Sequence, residues 1–174
     1  AGVDAAKRFL AVAPEEAAIG FVTFTSGAVV RVSPVTDRDA VERALDDLPI
    51  GEGTAIGDAV QTSLAAIQGS GALAELPESA ESSSARILLL TDGANSAGSS
   101  PLDAAARAAE LRVPIYTVLI GNDPGRPDEL SPSETLSALA TQTSGVYTQS
   151  TSTEDLRRVF EDIGGMARPL VDAV

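Results

Sequence analysis

The chain has 174 residues, a length that suits one domain, and with 44% hydrophobic and 21% charged residues it can bury a sizeable core. Its 25 acidic against 12 basic residues give a formal net charge of −13, which argues against nucleic acid and anionic membrane surfaces as partners and fits a cation, a basic partner or simply an acidic, soluble surface. With no Cys and no His, disulfides, thiolate metal sites, Ser-His-Asp machinery and the commonest zinc ligand are excluded too.

Val3, Ala6, Phe9 and Leu10 form a helical stripe that starts at once, with no capping residue ahead of it. Ile19 to Phe24 reads as a buried strand, Thr25-Ser26-Gly27 as a turn and Ala28 to Val32 as a second strand, which together make a hairpin. Thr36 is the expected cap of a helix whose apolar face is Val41, Ala44, Leu45 and Leu48. Pro49 and Gly51-Glu52-Gly53 end it, and Thr54 opens the next, with Ile56, Val60, Leu64 and Ile67 on one side. Gly69 to Ser84, rich in Gly, Ser, Ala and Glu, has no period and reads as a surface excursion. Ala85 to Leu90 is a continuous apolar run, as a central parallel strand requires, and Thr91-Asp92-Gly93 follows at its carboxyl end.

Ser100-Pro101 reads as an N-cap followed by Pro at the first helical position, and Leu102, Ala105, Ala106 and Ala109 continue that helix. Ile115 to Ile120 is a strand, Gly121 to Pro132 a proline-rich loop with Asp123 and Asp128 as loop acids, and Ser133 the expected cap of a helix ending near Gly145. Val146 to Gln149 is a short strand, and Ser152 with Asp155 caps a last helix carrying Leu156, Val159, Phe160 and Ile163. The tail after Gly164 is expected to fray, which bounds a domain over residues 1–168 and a C-terminal tail over 169–174. Strands alternating with helices imply a three-layer α/β/α fold with a mostly parallel, doubly wound sheet and one antiparallel edge strand from the hairpin. Ligands of such sheets bind outside the strands' carboxyl ends, where Asp92 sits.

Two segments carry chemistry: Gly53-Thr54-Ala55-Ile56-Gly57-Asp58-Ala59 and Leu88-Leu89-Leu90-Thr91-Asp92-Gly93. Thr54 offers a hydroxyl at a helix start, after a glycine that lets the backbone pass closely, and Asp92 offers a carboxylate before a glycine that permits a turn. Both are hard oxygen ligands suited to Mg²⁺, Mn²⁺ or Ca²⁺. Taken singly, such a Thr is more often only a helix cap and such an Asp-Gly only a turn. Asp58, one helical turn beyond Thr54, can support ligated water, although a solvated carboxylate is the plainer reading.

The hairpin over 19–32, GTAIGDAV over 53–60, ILLLTDG over 87–93 and VPIYTVLIG over 113–121 together resemble a von Willebrand factor A domain, most closely bacterial membrane-associated members of the aerotolerance type. Gly145-Val146-Tyr147 and the segment TEDLRRVFEDIG over 153–164 fit the same pattern. The resemblance implies a metal-ion-dependent adhesion site built from an Asp-x-Ser-x-Ser loop after a first, central strand, a Thr mapped onto Thr54 and an Asp mapped onto Asp92, with Gly53, Gly93 and Asp58 shaping its surroundings. It implies a protein-binding module in which the metal recruits an Asp or Glu from a partner. It also implies an extracytoplasmic domain tethered to a membrane through other parts of the protein, with no membrane insertion by this segment itself.

The Asp-x-Ser-x-Ser loop and its strand do not occur in the chain, whose Val3–Leu10 stripe matches the helix that follows them in the family, so the domain is expected to be incomplete at its N-terminus and its metal site partial. The middle of the sheet is then expected to rely on an upstream segment, on a strand from a partner or second copy, or on its neighbours closing up. Two other functions compete with metal-dependent binding: an assembly domain with a degenerate, metal-free site, and a metal-dependent phosphohydrolase using Asp92. The latter lacks a second carboxylate just beyond Asp92 and has only Lys7 as a lysine, so the chain is read as a non-enzyme.

Overall fold

The structure is a computed structural model in which residues 2–74, 84–123, 130–152, 154–155, 157–158, 161 and 170–173 are described, the last four by their backbone. The order is α1 (Gly2–Val12), β1 (Ile19–Phe24), β2 (Ala28–Val35), α2 (Arg38–Asp46), α3 (Ile56–Gly69), β3 (Arg86–Thr91), α4 (Pro101–Glu110), β4 (Ile115–Ile120), α5 (Pro132–Gln142), β5 (Tyr147–Ser150) and β6 (Leu170–Ala173). One six-stranded sheet runs β2-β1-β6-β3-β4-β5, in which β2 pairs antiparallel to β1 and the other pairings are parallel. The three-layer α/β/α expectation with one antiparallel edge strand is met.

Period-two alternation on doubly buried strands divides the core. Ile87 and Leu89 of β3, with Ile115 and Leu119 of β4 and Val22 of β1, face a cluster built by α3, α4 and α5. Leu88 and Leu90, with Tyr116, Val118, Ile19 and Phe21, face the opposite cluster of Phe9 and Leu10 from α1 and Val41 and Leu45 from α2. Fully burying one such Leu, Ile or Phe is worth about 1.5–3 kcal/mol, so few aromatics suffice when both sheet faces are covered. Thr143 ties the layers together: its Oγ1 accepts from the Ile115 amide at 2.9 Å and donates to Leu139 O at 2.9 Å.

The structure departs from the sequence reading most at the middle of the sheet. Leu170–Ala173, expected to fray, forms β6 between β1 and β3. Val171 pairs with Gly20 on one side and Ile87 on the other, and Ala173 pairs with Val22 and Leu89. The facing edges of β1 and β3 thereby gain a shared partner for backbone groups that burial would otherwise leave unsatisfied.

Smaller differences sit at helix starts. Asp37, not Thr36, is the N-cap of α2, its Oδ1 accepting from the Ala40 amide at 3.3 Å. Ser131, not Ser133, caps α5 in a reciprocal capping box with Glu134, while Pro132 takes the first helical position. The strand begun at Ala28 runs on to Val35 through Pro34, which the outer edge of a sheet tolerates. Residues 154–155, 157–158 and 161 are helical, as expected there. Residues 75–83 of the Gly69–Ser84 excursion, Asp128, and Leu156, Val159, Phe160 and Ile163 of the last helix lie outside the described residues.

Candidate functional site

The carboxyl ends of β1 and β3, the residues leading into α3 and the loop after β3 meet at one corner of the sheet. The hairpin turn supplies the floor: the Thr25 amide donates to Gly27 O at 2.8 Å, and Thr25 O accepts from the Ala55 amide at 2.7 Å. Gly53, at φ +90°, lies in the left-handed region against Ser26, with a would-be Cβ only 3.3 Å from Ser26 backbone atoms. Gly93 does not need that freedom: its φ lies outside the left-handed region and a Cβ there would sit at an ordinary 3.6 Å from Thr54 Oγ1. That short separation places Thr54 and the Asp92-Gly93 turn side by side, across 38 residues of sequence.

The loop after β3 is stitched to the start of α3. The Thr54 amide donates to Ser96 Oγ at 2.9 Å, and the Ser96 amide donates back to Thr54 O at 2.9 Å. Thr54 is not the side-chain cap of α3; the N-cap position falls on Ala55, which has none to offer, and Asn95 Oδ1 accepts from the Ile56 amide at 2.8 Å instead. The cap of α3 thus comes from the neighbouring loop. Asp58 is not a solvated carboxylate: its Oδ1 accepts from the Ser99 amide at 2.9 Å and from Ser99 Oγ at 2.6 Å, and these bonds hold its carboxyl below the ordinary value of 3.8. A Cβ on Gly57 would fall 2.2 Å from Ser99 O, so only glycine lets α3 lie this close to the loop. At the root of the loop, Thr91 Oγ1 accepts from the Gly93 amide and donates to Gly93 O, both at 3.3 Å.

This stitching spends the backbone groups of Thr54 but not its hydroxyl. Among the described residues, neither the Thr54 hydroxyl nor the exposed Asp92 carboxylate has a hydrogen-bond or ion-pair partner. No group of three or more His, Cys, Asp or Glu converges among the described residues, so the corner offers one carboxylate and one hydroxyl. Lys7, the lone lysine of the chain, is engaged elsewhere, with its Nζ 2.5 Å from Asp46 Oδ1 between α1 and α2. Asp123 is bonded to Ser133 at the start of α5. From the corner a groove of about 930 Å³ runs from Thr54 and the loop over 93–98 to the first turns of α4 and α5.

The family model for the von Willebrand factor type A domain matches residues 4–162, nearly the whole chain. The chain belongs to the von Willebrand factor type A domain family. A UPF0353 protein of Mycolicibacterium vanbaalenii is 31% identical over 177 residues, which cover 94% of this domain and 52% of the relative, so the chain spans about half the length of the curated relatives it matches. The fold is shared with an aerotolerance-related membrane protein of Bacteroides fragilis, at a TM-score of 0.66 and 16% identity over 94% of this chain and 88% of that one. It is also shared with proximal thread matrix protein 1 of the mussel byssus, solved with a zinc-occupied MIDAS motif, at a TM-score of 0.61 and 21% identity over 94% and 39% of the two chains. The sequence identified Thr54 and Asp92 as neighbours through this resemblance. It gave no sign that Asn95, Ser96 and Ser99 would bind them together, beyond the presence of short polar side chains in a loop. No helix among the described residues is long and apolar enough to cross a membrane.

Proposed function

We propose that this von Willebrand factor type A domain is a protein-binding module in which Thr54 and Asp92 hold a divalent cation, Mg²⁺ or Mn²⁺, that captures an Asp or Glu of a partner protein. The observation that carries the reading is the pairing of two hard oxygen donors, each without a protein partner among the described residues, on a corner otherwise fixed by backbone and side-chain hydrogen bonds. The donor set fits the ion in kind. Mg²⁺ takes one or two carboxylates, keeps several waters and accepts hydroxyl oxygen, so a single Asp and a Thr leave positions open for a carboxylate from outside. The ion would supply the positive charge that a domain of net charge −13 needs to hold an acidic partner. The zinc-occupied motif of the mussel protein supports the reading by likeness of fold. The extracytoplasmic, membrane-tethered setting is part of the same proposal, and the membrane protein of Bacteroides fragilis supports its membrane association by likeness of fold.

Electron paramagnetic resonance of Mn²⁺ titrated into the protein tests the site directly. Saturable loss of the free Mn²⁺ signal is expected, competed by Mg²⁺, strongly weakened in Asp92→Ala and weakened in Thr54→Ala. Uptake that both variants leave unchanged would refute the assignment of these two ligands.

A further inference from the structure

The outer edge of β2 is guarded along only part of its length. Two register irregularities against β1 fall between Val30 and Val35, and Pro34 has no amide to offer, so the second half of the strand is bulged and blunted. The first half is regular: Ala28, Val29 and Val30 pair in step with Phe24, Thr23 and Val22. β2 ends the sheet order, so among the described residues no strand meets this edge, and Val29 is 58% and Val30 37% exposed. A charged side chain commonly keeps such an edge from pairing, yet the one in β2, Arg31, is drawn aside. Its Nη2 donates to Asp47 O at 2.9 Å and lies 3.4 Å from Asp47 Oδ2. The segment held against this strand is acidic: residues 37–52, which contain α2 and the loop after it, carry six acidic residues against two arginines. That loop follows the hairpin from Arg31, bonded to Asp47, to the turn, where a Cβ on Gly51 would fall 2.6 Å from Thr25 Cγ2. Lys7 and Arg31 engage Asp46 and Asp47, whereas Asp39 and Glu52 have no ion pair among the described residues.

We propose that the first half of the β2 edge receives an extended segment of a partner protein, in which apolar residues alternate with Lys or Arg, as a seventh strand of the sheet. Main-chain hydrogen bonds to the open edge hold the segment, and its alternating side chains set the specificity. Val30, opposite Val22, stands on the face covered by α3, and Val29 on the face covered by α2. The partner's apolar side chains therefore cover Val30 on the one face, and its basic stems lie over Val29 on the other, with their charges towards the acidic segment. Charge complementarity selects this occupant over a second copy: two edges of a chain of net charge −13 repel, whereas a basic strand is drawn in. The site lies on the flank of the sheet and makes no use of Thr54, Asp92 or a metal.

The test titrates the acetylated, amidated peptide Val-Lys-Val-Lys-Val-Lys into isotope-labelled protein in chelator and follows backbone amides by NMR. The amides over 28–31 are expected to shift and to exchange more slowly with solvent as the peptide binds. Two peptides of the same charge, N-methylated at every valine or at every lysine, separate strand addition from attraction by charge alone. Blocking the set of amides that faces the edge should weaken binding roughly tenfold or more. The double variant Val29→Lys, Val30→Lys sets like charges on the edge and should lose the peptide; both positions are exposed, so the fold is retained. Both methylated peptides binding as tightly as the parent would overturn the strand site, as would equal affinity for Val-Glu-Val-Glu-Val-Glu or no binding at all. Protection of residues 28–31 that grows with protein concentration in the absence of peptide would overturn the occupant in favour of a second copy. Chelator is present throughout, so each of these results leaves the metal reading of Thr54 and Asp92 standing.

Discussion

Thr54, Asp92 and Asp58 are three oxygen-bearing side chains of one corner with three different fates. The first two have no protein partner among the described residues, and the third is committed to Ser99 by two hydrogen bonds. A carboxylate that accepts two bonds is stabilised in its charged form, so the folded-state value of Asp58 lies below the unfolded value, near 3.8. The stability it contributes is fully present above that unfolded value and is lost as pH falls through the folded one. The stability gap between the native chain and Asp58→Asn is therefore expected to be constant near neutral pH and to close progressively as pH falls below the unfolded value, read by urea unfolding. A gap independent of pH over that range would contradict the clamp. The motif residues were legible because their types and spacing are local. The clamp was not: Asn95, Ser96 and Ser99 act on residues 39 to 42 positions away, and nothing local marks a loop serine as an acceptor for Thr54 or a donor to Asp58.

At the scale of elements, β3 and β4 were readable because strands buried on both faces are continuous apolar runs, and α4 because Ser100-Pro101 marks its start. The start of α5 was misplaced by two residues because Ser131 and Ser133 both precede helical sequence; Pro132 at the first helical position and Glu134 at the third decide for Ser131. β6 escaped a reading by pattern altogether. Four residues are too few to display a period, and what makes them a strand is the pair of parallel edges they meet. Proline at Val171 removes an amide from a strand that pairs on both sides and is expected to cost about 2 kcal/mol or more, read as an earlier midpoint in urea at unchanged slope. A midpoint equal to that of the native chain would show that β6 contributes nothing to the sheet.

For the whole molecule, the composition that excluded nucleic acid, thiolate metals and histidine chemistry left hard-metal binding open, and the fold puts the two residues suited to it at the carboxyl edge of a parallel sheet. That edge is rigid where its backbone is bonded and open where Thr54 and Asp92 stand, the combination a binding module needs. A divalent ion held at this corner stabilises the folded state over the unfolded one. Thermal unfolding in excess Mg²⁺, repeated in chelator and with Asp92→Ala, measures it most directly. Metal at about 100 times its dissociation constant adds about 2.7 kcal/mol, which for a domain of this size raises Tm by roughly 5–10 °C. That rise is expected in the native chain and its loss in the variant; equal Tm in Mg²⁺ and in chelator, with a cooperative transition in both, would show that Thr54 and Asp92 hold no ion.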